Sequence, residues 1–310
     1  MGKTALVFPG QGSQFVGMGK DLYDNFDAAK NIYEKFDIVS CRAISKICFE
    51  GPEELLKQTI NTQPAILATS IAAYEAFKLK NDIKPDFVAG HSLGEYAALY
   101  AAGVLDLINT IKLINKRAEL MNTSKSGSMS AVLNLSEDKL KEALEKASSE
   151  GLVTVANYNT PDQIVITGEE KAVAAANELC KEAGAKRVIP LAVSGAFHSP
   201  LMKDASVKFA EFVAFSDVYD AKLPVITNVD AKVTITAGDF KKKMVEQIHS
   251  SVYWTQTVQY MVEQGVDTFI EIGPGKVLSG MIKKISRDAK VFNVCDMNSM
   301  NIVVATGNHQ

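Results

Sequence analysis

The 310-residue sequence predicts an α/β fold in two parts, a large domain on a parallel sheet and a small βαββαβ unit inserted into it. Three observations carry that prediction. Short apolar runs near 4–8 and 86–89 stand between helical stretches, as strands buried on both faces do. Between about 128 and 193 the pattern changes to strand, helix, strand, strand, helix, strand, which is the ferredoxin-like order. The length also exceeds what a single core usually holds. The expected division is a large α/β domain over 1–126 and 195–310 and a ferredoxin-like subdomain over 127–194.

Taken in order, a first strand over 4–8 leads through a Pro-Gly-Gln-Gly-Ser-Gln turn into helical material reaching about residue 50. Residues 63–79 have helical spacing, 86–89 form a short buried strand, and a helix over 93–102 is closed by Gly103 before a second helix over 106–121. The polar stretch 123–128 reads as a linker. In the insert, the strand MSAVLNL precedes a helix capped by Ser136, then LVTVANY and QIVITG flank a turn at Asn159-Thr160-Pro161-Asp162. A helix over 170–184 and the strand KRVIPLAV complete it. Beyond the insert the sequence predicts a helix over 200–215, a strand at 224–227, helices at 239–247 and 258–264, and a strand over 268–272 ending in Gly273-Pro274-Gly275.

Composition narrows the function. Hydrophobic residues make up 47% and charged residues 22% of the chain, an ordinary globular balance. A formal charge of −3 with scattered lysines and arginines gives no field for nucleic acid. Cys41, Cys48, Cys180 and Cys295 form no C-x-x-C pair, and the four histidines show no metal-ligand spacing, so no metal is expected. Reduced cysteines, no secretory pattern at the N-terminus and no run of 18 apolar residues point to a cytoplasmic protein with no membrane partner. Two nucleotide motifs fail. Gly2-Lys3-Thr4 lacks a glycine-rich lead, and after Gly10-Gln11-Gly12 the third glycine of a dinucleotide fingerprint is replaced by Phe15.

The chemistry begins at Gly90-His91-Ser92-Leu93-Gly94, which fits G-x-S-x-G. In that nucleophile elbow a strand turns sharply into a helix, and the serine is presented at the top of an α/β-hydrolase-like sheet. The bland alternative is a serine that merely caps a helix. A serine nucleophile needs a base, and His91, His198, His249 and His309 are the candidates. His198 suits the order Ser…His, since it lies where the chain leaves the insert. Asp204, Asp230 and Glu271 follow the serine, but no spacing selects one as a third triad member.

FPGQGSQ at 8–14, GHSLGEY at 90–96, KRAELM around Arg117, the asparagines of VANYN, GAFHSPLM at 195–202 and EIGPGKVL at 271–278 occur together and in this order. On these motifs the chain resembles the malonyl-CoA:acyl carrier protein transacylase family over essentially its whole length. The resemblance implies Ser92 as nucleophile and His198 as base, oriented by a backbone carbonyl near Gln247 instead of an acid. It also implies an oxyanion hole from the backbone N–H groups of Leu93 and Gln11, and a site lined by Gln247, His91, Asn157 and Asn159. Asparagines before a Pro-Asp pair also suit turn chemistry alone.

Arg117 carries the specificity. With Leu113, Leu120 and Met121 at i−4, i+3 and i+4, its guanidinium rises from an apolar patch and needs a partner. A protein carboxylate is the plain alternative; with the elbow upstream, the free carboxylate of a malonyl group is the better match. The expected reaction moves malonyl from malonyl-CoA to the pantetheine thiol of acyl carrier protein, in fatty acid synthesis, through a covalent acyl-serine. No resident cofactor is expected, since the substrates bring coenzyme A and the phosphopantetheine. Three other readings stay open: an acyltransferase of polyketide synthesis, a serine hydrolase or thioesterase, and a non-catalytic carrier-docking module. The oligomeric state, a monomer included, is open as well.

Overall fold

The strand β1 (Lys3–Phe8) lies at the centre of the main sheet, and its residues Ala5 to Phe8 are fully buried. In the computed structural model, which describes residues 2–123, 127–193 and 195–307, four helices follow: α1 (Lys20–Asn25), α2 (Asp27–Ser40), α3 (Ile44–Glu50) and α4 (Glu53–Leu56). Then comes α5 (Thr59–Lys78), buried on nearly every side, as an all-round apolar helix must be. The strand β2 (Phe87–Gly90) leads through the elbow to α6 (Glu95–Ala101) and α7 (Leu107–Thr123). Gly103 ends α6 at φ +72°, a left-handed position that suits glycine.

The small sheet contains β3 (Ser128–Leu133), β4 (Val153–Thr160), β5 (Gln163–Gly168) and β6 (Arg187–Pro190), with α8 (Glu137–Ala147) and α9 (Glu170–Glu182) between them. Its strands are antiparallel where β3 meets β5 and β6 and where β4 meets β5, in the order β4-β5-β3-β6. Alternate residues point to opposite faces of a strand. Accordingly Val132, Ile164 and Ile166 pack with Leu140, Leu144 and Val173 of the helices, while Met129, Ala131 and Val165 join the core of the larger part.

The chain then returns through α10 (Lys203–Ala214), β7 (Val225–Ile226), β8 (Val233–Thr234), α11 (Ala237–Gln247), α12 (Trp254–Glu263), β9 (Val266–Ile272), α13 (Val277–Ile285), β10 (Lys290–Val294) and α14 (Met297–Gly307). The main sheet has the order β10-β9-β1-β2-β7-β8; it is parallel except for the short edge pair of β7 with β8. On β1, Leu6 and Phe8 face the core made with α5 and α6, and Ala5 and Val7 face Trp254, Val258 and Ile282 of α12 and α13. Register places the site. Phe8 lies opposite Gly90 and Val7 opposite both Ala89 and Glu271, so Gln11, Ser92 and Gly273 emerge together at the carboxyl ends of three adjacent strands, where open α/β sheets bind their ligands.

Several local expectations are corrected. Asn159 and Thr160 belong to β4, and only Pro161 and Asp162 make the turn; Asn157 bridges Val252, and that pairing holds the strand extended. Ser136 precedes α8, but its hydroxyl makes no cap bond. The helix expected to start at 258 starts at Trp254, because Trp254, Val258 and Met261 form one buried stripe. β8, α13, β10 and α14 have no counterpart among the elements the sequence predicts. Ser124 to Ser126 of the expected linker, Ser194 and His309 lie outside the described residues.

Phe269 of β9 is fully buried against α12 and α13. Phe269→Ala is expected to destabilise the fold by about 3–5 kcal/mol; a urea midpoint displaced downward at constant slope checks this.

Candidate active site

Between β2 and α6 the backbone bends through a 3-10 turn, Ser92–Gly94, and Ser92 adopts φ +51°, a left-handed conformation that is strained for any residue with a side chain. The flanking glycines are required by close approach. A Cβ at position 90 would strike the Gly94 carbonyl, and one at position 94 would strike the carbonyl of Phe8. Leu93 stands in the first turn that follows, where a backbone N–H has no intrahelical acceptor. Gln11, in the turn after β1, lines the same cleft as Ser92 and Leu93.

His198 sits in the loop before α10, itself at φ +58°. Its Nε2 lies 2.8 Å from Ser92 Oγ, and its Nδ1 lies 2.9 Å from the Gln247 carbonyl and 3.2 Å from that of Ser250. Carbonyls only accept, so Nδ1 carries the proton and Nε2 offers its lone pair to the serine hydroxyl. Burial, reinforced by the positive charge of Arg117, lowers the His198 pKa to about 3. The imidazole is therefore neutral, the form a general base needs. His249 is turned away toward Lys203, 3.4 Å off.

Arg117 reaches in from α7 and is buried, 1% exposed. Its Nη1 donates to Gln63 Oε1 at 2.6 Å, and its Nη2 to Ser92 Oγ at 3.0 Å and Gln247 Oε1 at 3.1 Å. The Tyr96 ring lies beside it, 5.8 Å from the guanidinium carbon. Among the described residues none of its hydrogen-bond partners is a carboxylate and no ion pair includes it. The Nε is buried without an acceptor. Burial pulls its pKa down. A cation so placed favours an anionic ligand in the cleft.

Of the remaining expected residues, Asn157 lines the cleft, as does His91. Asn159 does not; its Oδ1 holds His91 Nε2 at 2.8 Å, and His91 meets Trp254 edge-on. Gln247 works behind the serine, donating from Nε2 to the Ser92 carbonyl at 3.0 Å. Apolar Met121, Met129, Leu191, Val193 and Phe197 complete the walls. Three polar residues were not anticipated: Gln63, Asn228 and Glu95. Asn228 Oδ1 accepts the Ser92 N–H at 2.8 Å, and Glu95 Oε2 accepts the Asn228 N–H at 2.6 Å. Burial raises the Glu95 pKa to about 7. Among the described residues no three His, Cys, Asp or Glu side chains gather as metal ligands, and no helix is long and apolar enough to cross a membrane.

A strained serine, a neutral histidine oriented by carbonyls and a buried arginine meet in one cleft, and the family model of the acyl transferase domain matches residues 5–304. The chain belongs to that family, and within it to the malonyl CoA-acyl carrier protein transacylases. It is 48% identical over 310 residues to the malonyl CoA-acyl carrier protein transacylase of Bacillus subtilis (strain 168), covering 99% of this chain and 98% of that one. Its fold is similar to MCAT of Streptococcus pneumoniae, with TM-score 0.93, 44% identity and coverage of 98% and 100%. It is also similar to a malonyl-transacylase solved in complex with a type II PKS acyl-carrier protein, with TM-score 0.95, 38% identity and coverage of 98% and 99%.

Because the His198 pKa is lowered to about 3, the proton-accepting form persists well below the usual histidine range. Labelling of Ser92 by a fluorophosphonate is expected to change less than about twofold between pH 8 and pH 5. A fall in the labelling rate with a midpoint near 6.5 would contradict that state of the base.

Proposed function

We propose that this protein transfers malonyl from malonyl-CoA to the phosphopantetheine thiol of an acyl carrier protein, through a malonyl-Ser92 intermediate, in fatty acid synthesis. The observation that carries the proposal is the buried Arg117, within 3.0 Å of the Ser92 hydroxyl and partnered, among the described residues, only by neutral acceptors. A malonyl thioester has its free carboxylate two bonds from the reacting carbonyl carbon. When the carboxylate pairs with the guanidinium fork, the carbonyl comes to rest beside Ser92 Oγ.

In the first half-reaction His198 Nε2 takes the Ser92 proton while Oγ attacks the thioester carbonyl. The oxyanion is received by the backbone N–H groups of Leu93 and Gln11. Collapse expels the coenzyme A thiolate, which takes the proton from His198. In the second half-reaction the pantetheine thiol gives its proton to His198 and attacks the malonyl ester, and Ser92 leaves with that proton. Burial lowers the His198 pKa most and the Arg117 charge adds to it; pairing of Arg117 with the substrate carboxylate offsets the second contribution and leaves the first. The substrates bring the pantetheine arm, so the reaction calls for no resident cofactor, and the reading places it in the cytoplasm.

The same reading gives the chain a large α/β-hydrolase-like domain over 1–126 and 195–310 and a ferredoxin-like insert over 127–194. Support comes from the elbow at the end of a parallel strand and from the small sheet's spatial order of second, third, first and fourth strands.

Intact mass after brief mixing with malonyl-CoA is expected to rise by one malonyl group, which moves to pantetheine-bearing carrier protein on its addition. Ser92→Ala is expected to show no such rise. If free malonate accumulates while the protein mass stays constant, the hydrolase reading replaces this one. Arg117→Ala is expected to slow acylation by malonyl-CoA at least about 100-fold and acylation by acetyl-CoA far less. Equal losses with both donors would remove the carboxylate clamp.

A further inference from the structure

The chemistry assigned to Ser92, Leu93 and His198 leaves unexplained what holds the elbow in a left-handed turn. Asn228 lies two residues beyond the end of β7, is fully buried, and is 136 positions from the serine. Its side chain bonds the elbow at two points, the first glycine and the serine. Oδ1 accepts the Ser92 N–H at 2.8 Å, and Nδ2 donates to the Gly90 carbonyl at 2.7 Å. The two partners fix which way round the amide sits, since an N–H must meet the oxygen and a carbonyl must meet the nitrogen. Gln247 Nε2 bridges from the Ser92 carbonyl at 3.0 Å to Asn228 Oδ1 at 3.2 Å.

Peptide units are planar, so a bond to either end of one orients the whole unit. The Gly90–His91, His91–Ser92 and Ser92–Leu93 units are each held by one bond from Asn228 or Gln247. The last of these carries the Leu93 N–H, which points away from the carbonyl that Gln247 grips. Asn228 is held in turn by the buried carboxylate of Glu95, whose Oε2 accepts its N–H at 2.6 Å. Glu95 is the first residue of α6, so the helix that leaves the elbow anchors the residue that clamps it.

We propose that Asn228, anchored by Glu95, is a positioning residue that fixes the two peptide planes leading into Ser92 and, through its bond with Gln247, supports the plane that follows, and so aims the hydroxyl and the Leu93 N–H at one reacting carbonyl. This role rests on the transacylase reading above. An amide is needed because one side chain must accept from the Ser92 N–H and donate to the Gly90 carbonyl. Asn228→Ala removes both bonds and leaves the Ser92 N–H without its acceptor. Asn228→Asp keeps that acceptor but turns an oxygen toward the Gly90 carbonyl.

The test measures single-turnover acylation by malonyl-CoA and by acetyl-CoA, with circular dichroism to establish that each variant is folded. Asn228→Ala is expected to lower the maximal acylation rate about 100-fold, as loss of oxyanion-hole geometry does, while half-saturation by malonyl-CoA and the malonyl-to-acetyl preference each move less than about threefold. Asn228→Asp, which is isosteric and serves if the alanine variant does not fold, is expected to lose about 10-fold. Rates within about threefold of the parent for the folded variants would overturn the proposal. So would a collapse of the malonyl preference alongside the rate, because Asn228 would then support the pocket as a whole. If the parent itself takes up no malonyl group, the transacylase reading falls, and the positioning role falls with it.

Discussion

A serine held at φ +51° at the end of a buried strand is the constraint around which the molecule is arranged. Such a conformation costs roughly 1–3 kcal/mol and persists only where its surroundings over-determine it. Here they do so by three independent means. Gly90 and Gly94 let the turn close onto itself and onto the Phe8 carbonyl, the parallel register of β1 and β2 keeps that carbonyl in place, and Asn228 with Gln247 bonds the turn from behind. The same turn brings the hydroxyl out of the elbow to face His198.

Two electrostatic decisions follow from placing a base and a cation in one buried cleft. The imidazole and the guanidinium both pay for desolvation, and each resolves it differently. His198 sheds its charge and keeps two carbonyl acceptors for its one N–H. Arg117 keeps its charge and takes amide and hydroxyl oxygens as partners, none strong enough to offset burial fully. The cleft therefore holds its affinity for an anion in reserve, close to the Ser92 hydroxyl.

Much of this was legible in the sequence because it is local. The elbow is five consecutive residues, and Arg117 shows its apolar flanks at helical spacing. The strand and helix order of the small sheet could be read from alternation and periodicity, and the structure shifts only boundaries such as Asn159 and Thr160. The supporting shell was not legible, since it is made by residues far apart in the chain and bland in their own surroundings. Asn228 stands in a TNVDA stretch that suggests only a turn, and Glu95 looks like an ordinary acidic residue in a first helical turn. Gln63 enters a helix buried on nearly every side, where no amphipathic pattern marks one residue out.

The His198 imidazole is oriented by main-chain oxygen atoms at Gln247 and Ser250, which gives Gln247 a double life under mutation. A side-chain exchange at Gln247 deletes its grip on Ser92 and Arg117 yet leaves the carbonyl where it was. No codon removes that oxygen, so this arm of the machinery tolerates sequence drift that would disable an aspartate. Its weakness is geometric instead. Two residues beyond Ser250, Val252 is knitted into the edge of the small sheet through Ala156 and Tyr158, so the carbonyls keep their aim only while that strand keeps its place.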